Sequence, residues 1–179
     1  MSKNIVVLSG SPRRGGNTDI LADAFIEGAK SAGKNVTVFR VAEMKIAGCT
    51  GCEHCFKEVG VCAIKDDMVQ ILEALRKADV LVLASPVYHF AVTAQLKLAL
   101  DRQYALFNEK TPIKRTVLLM PCADDDPRTA DGAVAMYKTW LSYTNWEDAG
   151  IIIVTGVHEP GAIKGNEGLL KAKALGGSI

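Results

Sequence analysis

Short, uninterrupted apolar runs alternate along this chain with longer segments whose apolar residues recur every three or four positions. Ile5-Val-Val-Leu-Ser9 is a run of the first kind; it ends in a Gly/Pro-rich turn and reads as a buried strand. Asn17 or Thr18 then caps a helix with Ile20, Leu21, Ala24 and Phe25 on one face. Gly33 ends that helix, and residues 36–41 make a second strand. Residues 44–64 follow neither period and read as a long loop. Asp66 and Asp67 open another helix, with Met68, Ile71, Leu72 and Leu75 at helical spacing and both acids favourably placed at its N-terminus. A strand over 79–84, a helix over 91–106 and a strand over 116–120 follow. A helix over 131–143, a strand over 150–155 and a last helix over 167–175 complete the order.

Strict strand–helix alternation with continuously apolar strands predicts a parallel sheet covered on both faces. Five such units fit an α/β, doubly wound, five-stranded flavodoxin-like sheet of order 2-1-3-4-5, one domain over residues 1–179 with a cysteine-rich loop at about 44–64. Such sheets bind ligands beyond the carboxyl ends of their strands, where strand order reverses. The turns 9–18, 85–89 and 122–126 all leave carboxyl ends and are expected to surround one crevice.

Composition narrows the reading mainly by exclusion. Net charge is +1, so no global field draws the chain to nucleic acid or anionic lipid. The longest apolar runs, such as 80–84, are strand-length and far short of a bilayer span. The first residues lead directly into a strand with no signal-peptide anatomy, so a cytoplasmic location with reduced thiols is expected.

The turn after the first strand, Ser9-Gly-Ser-Pro-Arg-Arg-Gly-Gly-Asn-Thr18, enters a helix, so backbone N–H groups and the helix dipole face an anion there. Ser9, Ser11, Asn17 and Thr18 add neutral donors and Arg13 a charged one. That set suits a phosphate monoester kept bound rather than one transferred. No Gly-x4-Gly-Lys-[Ser/Thr] and no Gly-x-Gly-x2-Gly occurs in the turn, which excludes a nucleotide-hydrolase loop and leaves a Rossmann dinucleotide site unsupported. The bland alternative is a Gly-rich turn with a solvated arginine pair. In Ser85-Pro-Val-Tyr-His89, Pro86 stiffens the backbone and Tyr88 or His89 can lie against a planar ring; otherwise Tyr88 packs inward and His89 is solvated. The acidic turn Cys122-Ala-Asp-Asp-Asp126 either closes over a ring edge or caps the following helix, with Cys122 a small buried residue.

The chemistry-bearing run is Cys49-x2-Cys52-x2-Cys55, completed by Cys62. Three readings stay open. The compact spacing wraps a [4Fe–4S] cube; four thiolates also suit a structural zinc, although those sites usually come as two separated knuckles; or the thiols are bare, with Cys-x2-Cys available for disulfide exchange. His54 either replaces one ligand or is a solvated surface residue.

The stretch 9–18, the cysteine loop running into Cys62-Ala-Ile-Lys-Asp-Asp-Met68, and Ala84-Ser-Pro-Val-Tyr88 continuing to Ala94-Gln-Leu-Lys97 and Asp101-Arg102 together resemble one family. It is the NADPH-dependent FMN reductase-like flavoproteins of flavodoxin fold, in particular their iron–sulfur flavoprotein branch. The likeness spans about the first 105 residues by motif order and spacing. It implies FMN, with the phosphate on Ser9, Ser11, Arg13, Asn17 and Thr18, Pro12 also at the cofactor site, and the isoalloxazine against Pro86, Val87, Tyr88 and His89. It also implies a homodimer or homotetramer. The expected activity is an NAD(P)H-dependent reductase passing electrons through FMN to a quinone, flavin or similar small acceptor. The alternative is a carrier relaying electrons between a ferredoxin-like protein and FMN through a [4Fe-4S] cluster on Cys49, Cys52, Cys55 and Cys62.

Overall fold

A computed structural model describes residues 2–179. Strands β1 (Asn4–Ser9), β2 (Asn35–Arg40), β3 (Val80–Ala84), β4 (Arg115–Pro121) and β5 (Glu147–Val154) form one sheet in the order β2-β1-β3-β4-β5. Every neighbouring pair is parallel, as expected. The helices are α1 (Asn17–Ser31), the one-turn α2 (His54–Lys57), α3 (Met68–Leu75), α4 (Ala94–Arg102), α5 (Asp131–Thr144) and α6 (Glu167–Ser178).

Period-two alternation within the strands divides the core into two layers. Val6, Leu8, Leu81, Leu83, Leu118 and Met120 point to the face covered by α3, α4 and α5. Ile5, Val7, Val80, Val82, Val117 and Leu119 point to the opposite face, under α1 and α6. Because both faces are covered, β3 is buried at all five positions and shows no polar alternation. The α1–α6 contact is made backbone to backbone. A side chain at Gly28 would meet the Lys173 carbonyl oxygen at 1.9 Å, and one at Gly176 would meet that of Phe25 at 2.0 Å.

The helix expected over 91–106 is shorter, because Tyr88 and Ala91 first exchange backbone hydrogen bonds of 2.9 and 3.1 Å in a tight turn. His89 and Phe90, the two central residues, both take positive φ, +49° and +64°. That is the geometry of a primed hairpin turn, occupied here by two bulky residues rather than Asn-Gly. Thr93 then caps α4, its hydroxyl accepting the Leu96 N–H at 3.3 Å. No helix among the described residues is long and apolar enough to cross a membrane.

Candidate functional site

The three carboxyl-end turns do meet. A crevice of about 160 Å³ is lined by Ser11, Arg13, Asn17 and Thr18 from the first, Pro86, Val87 and Tyr88 from the second, and Pro121, Cys122 and Ala123 from the third. Val157 and His158, beyond β5, close its remaining side. Backbone bonds register the walls: Gly10 N–H donates to Ala84 O (2.8 Å), Ser85 N–H to Leu119 O (3.0 Å) and Cys122 N–H to Val154 O (2.8 Å). Thr93, fully buried, latches the first two turns together. Its hydroxyl donates to Gly10 O at 2.8 Å and its N–H to Ser85 Oγ at 3.0 Å. A side chain on Gly10 would stand 2.6 Å from Thr93 Oγ1, so close approach requires glycine there.

The predicted phosphate residues take distinct positions. Gly16 occupies the cap position of α1 with no side-chain cap, so the first-turn N–H groups are claimed by no capping side chain. Buried Thr18 and buried Ser11 line the crevice beside them. Arg13 is exposed, its guanidinium 3.3 Å from the His158 carbonyl. Pro12 is exposed and does not line the crevice. The Ser9 hydroxyl is buried and donates to Asp19 Oδ1 at 3.2 Å. Asn17 is spent on the chain: its amide donates to Val157 O and Glu159 O, both at 2.9 Å, and its oxygen accepts from Gly161 and Ile163 N–H. On the other wall Tyr88 is 43% exposed, whereas His89 is turned outside the crevice lining.

Asp19 is the residue sequence reasoning missed. Six per cent exposed, it accepts from the Ser9 hydroxyl and the Gly15 N–H (2.7 Å) and pairs with Arg40 at 2.7 Å. Arg40 in turn meets Glu43, which also holds Arg14. The two arginine hydrogen bonds hold the Glu43 carboxyl below its ordinary range. An acid in the first turn of a helix at a phosphate-type loop was the available signal. The acidic turn caps the short 3-10 turn of residues 127–130 that leads into α5 rather than α5 itself, which has no side-chain cap: Asp124 accepts from Asp126 N–H and the Thr129 hydroxyl, and Asp126 accepts from Arg128 N–H. Burial pushes the Cys122 thiol up, with Asp124 and Asp125 acting in the same direction, so it stays a neutral thiol.

The cysteines gather elsewhere, on the flank of α4. Cys49, Cys52, Cys55 and Cys62 all line one cavity of about 180 Å³, together with Asp101, Arg102 and Tyr104. Burial pushes the Cys55 thiol up, and the adjacent Cys62, Cys49 and Cys52 add to the effect. Hydrogen bonds from the His54 backbone and the Thr50 hydroxyl lower that of Cys52. His54 lies 3.7 Å from Glu58 and does not line the cavity. Gly51, Glu53 and Gly60 all take positive φ, so the loop has no regular ladder to rest on. Two arginines brace it. Arg76 donates to Gly60 O at 2.6 Å while paired with Glu109, and Arg102 binds Ala47 O, Ile64 O and Asp66. Burial pushes the Asp66 carboxyl up, but its bonds from Arg102 and from the Ala47 and Met68 N–H groups outweigh that and hold it below the usual range.

Among the described residues no three His, Cys, Asp or Glu side chains converge on one metal ion. A single tetrahedral zinc needs its sulfurs at about 2.3 Å from one point. A cube distributes its cysteines over separate irons, so four thiols around one cavity fit that donor set better. Adjoining the thiol cavity, and sharing Cys49, Gly51, Asp101 and Tyr104 with it, is an open groove of about 960 Å³. Exposed Phe56, Tyr104, Phe107 and Tyr143 form a ladder beside it, with successive ring centroids 5.2–5.7 Å apart.

Comparison with known proteins decides the family. The model of the NADPH-dependent FMN reductase family matches residues 3–158. The chain belongs to that family. An iron-sulfur flavoprotein of Methanocaldococcus jannaschii is 38% identical over 102 residues, 57% of this chain and 52% of that protein. One from Methanosarcina thermophila is 35% identical over 113 residues, 63% of this chain and 59% of its own. The chain thus spans about half the length of the curated relatives it matches. The NAD(P)H:quinone oxidoreductase from Methanothermobacter marburgensis superposes with a TM-score of 0.79 over 99% of this chain and 96% of that one, at 21% identity, which shows a shared flavodoxin-like fold. Within this family the crevice occupies the expected end of the sheet.

Proposed function

We propose that the chain is an FMN-dependent reductase that takes hydride from NAD(P)H and delivers electrons to a quinone, a free flavin or a similar small acceptor. The observation that carries this reading is the crevice itself. It joins an uncapped helix N-terminus and Arg13 at one end to a stiff, half-buried Pro86-Val87 wall with exposed Tyr88 at the other. Bound FMN would supply the redox chemistry, accepting a hydride and releasing electrons singly or in pairs.

The chain's own part is to bind, orient and leave one face open. The first-turn N–H groups of α1, with Ser11, Arg13 and Thr18, are proposed to hold the phosphate; Ser9 and Asn17 support the turn from behind through Asp19 and the 157–163 segment. Pro86, Val87 and Tyr88 are proposed to carry the ring, with His89 at the outer rim. No acid or base is needed at the reacting atoms, and Cys122, held neutral, offers none.

The thiol cavity is proposed to take a [4Fe–4S] cluster on Cys49, Cys52, Cys55 and Cys62. Its support is the single cavity all four line and the names of the curated relatives. The exposed aromatic ladder supports self-association as a dimer or tetramer, which sedimentation would measure, and reduced thiols fit a cytoplasmic setting.

The test is an anaerobic purification followed by a visible spectrum, iron and sulfide analysis, and NADH and NADPH oxidation with a quinone. A flavin spectrum with quinone-dependent turnover is expected. Flavin without turnover on either nucleotide would overturn the reductase reading, and flavin without iron would overturn the cluster.

A further inference from the structure

Arg102 closes α4, and its side chain is 1% exposed. Four of its five N–H donors are accounted for. Nη1 donates to the Ala47 carbonyl at 2.9 Å and to Asp66 Oδ2 at 2.8 Å; Nη2 donates to the Ile64 carbonyl at 3.0 Å and to Asp66 Oδ1 at 3.1 Å. Ala47 precedes Cys49 by two positions and Ile64 follows Cys62 by two, so one guanidinium ties both stems of the thiol loop. The fifth donor, Nε–H, is buried and has no partner.

A buried donor left unpaired is destabilising and calls for an explanation, one of which is a partner that the protein alone does not supply. The Cys62 side chain stands next to this guanidinium and takes none of those four bonds. Arg102 and Cys62 line the same cavity, and no other arginine or lysine lines it. A neutral thiol is a weak acceptor, which explains why the donor stays free; a metal-bound thiolate is charged and accepts strongly.

We propose that Arg102 is a positioning residue for the inorganic centre, holding the thiol loop shut through its two Nη groups and keeping Nε–H for the sulfur of Cys62 as a charged ligand. This rests on the cluster reading above. The donor favours the more negative, reduced state of the centre, because hydrogen bonds to ligand sulfur raise its reduction potential.

Wild-type protein carrying isotopically labelled arginine, loaded anaerobically with iron and sulfide and reduced with dithionite, is measured by pulsed EPR. A hyperfine coupling between the reduced centre and an arginine nitrogen is expected. Its absence in protein that carries its iron would overturn the inference while leaving the cluster reading standing. Arg102→Lys keeps a cation but deletes Nε–H together with the guanidinium fork, so its midpoint potential should fall while flavin content is retained. An unchanged potential in that variant would also overturn the role of Nε. Should Arg102→Lys fail to fold, the wild-type coupling decides alone. Wild-type protein that takes up neither iron nor sulfide overturns the cluster reading itself, a result seen in the metal analysis before any spectrum is taken.

Discussion

The crevice at the carboxyl ends of β1, β3 and β4 and the thiol cavity beside α4 share no lining residue, and they are held in opposite ways. The crevice is mostly backbone: sheet register, the N-terminus of α1 and a few carbonyl-to-amide bonds set its walls. Its side chains, Thr93 and Asp19, act as latches behind it. The thiol cavity stands on a loop whose regular structure is the single turn of α2, and what fixes it is two arginine side chains, Arg102 at its stems and Arg76 at the Gly60 turn. A site made by topology tolerates substitution at its surface. One made by a few buried charges does not, because deleting one partner strands the other.

The largest expected effect follows from that contrast. Asp66→Ala leaves the Arg102 guanidinium buried without its carboxylate and should cost about 3–5 kcal/mol of stability. The check is urea unfolding, with hydrogen exchange rising first over 47–64; a loss shared evenly with the crevice loops would break the contrast. Gly10→Ala drives a methyl against Thr93 and Leu96 and should cost about 1–3 kcal/mol. Flavin release in that variant should rise while iron content holds. Arg13→Ala should weaken FMN retention about tenfold, roughly 1.4 kcal/mol, at unchanged fold, since the proposed phosphate site draws its other donors from backbone N–H groups and the Ser11 and Thr18 hydroxyls. Equal FMN affinity would remove Arg13 from it. Cys55→Ala should abolish iron and spare flavin; loss of both would mean that the two sites are coupled.

Acid sharpens the comparison further. The folded pKa of Asp66 lies below its ordinary value of 3.8, so its contribution is complete above that value and drains away as pH falls toward the folded one. Wild-type stability should therefore fall more steeply below about pH 4 than that of Asp66→Ala. Parallel acid limbs in the two proteins would remove Asp66 as the cause.

Much of the fold was legible because periodicity reports burial. Continuous apolar runs at 5–8 and 80–84 could only be strands covered on both faces, and both are. The three crevice turns were legible because each carries Gly, Pro or acids at the end of such a run. What was not legible was the direction of individual side chains. Ser9 and Asn17 look like donors to an anion, yet one faces Asp19 and the other ties down the 157–163 segment. The strained His89-Phe90 turn was equally hidden, since neither residue type favours positive φ.

The sequence by itself determined the alternation of strands and helices, hence the doubly wound sheet, and the presence of four thiols within fourteen residues. These are local facts: period, turn chemistry and spacing along one segment. Only the tertiary structure decided that Arg102 closes the cysteine loop, that Asp66 neutralises it and that one of its donors stays free. Arg102 lies 36 residues from Asp66, and an arginine in a helix carries no mark of what its guanidinium will meet. Burial selects partners in space, and a free N–H appears only when every neighbour is in position.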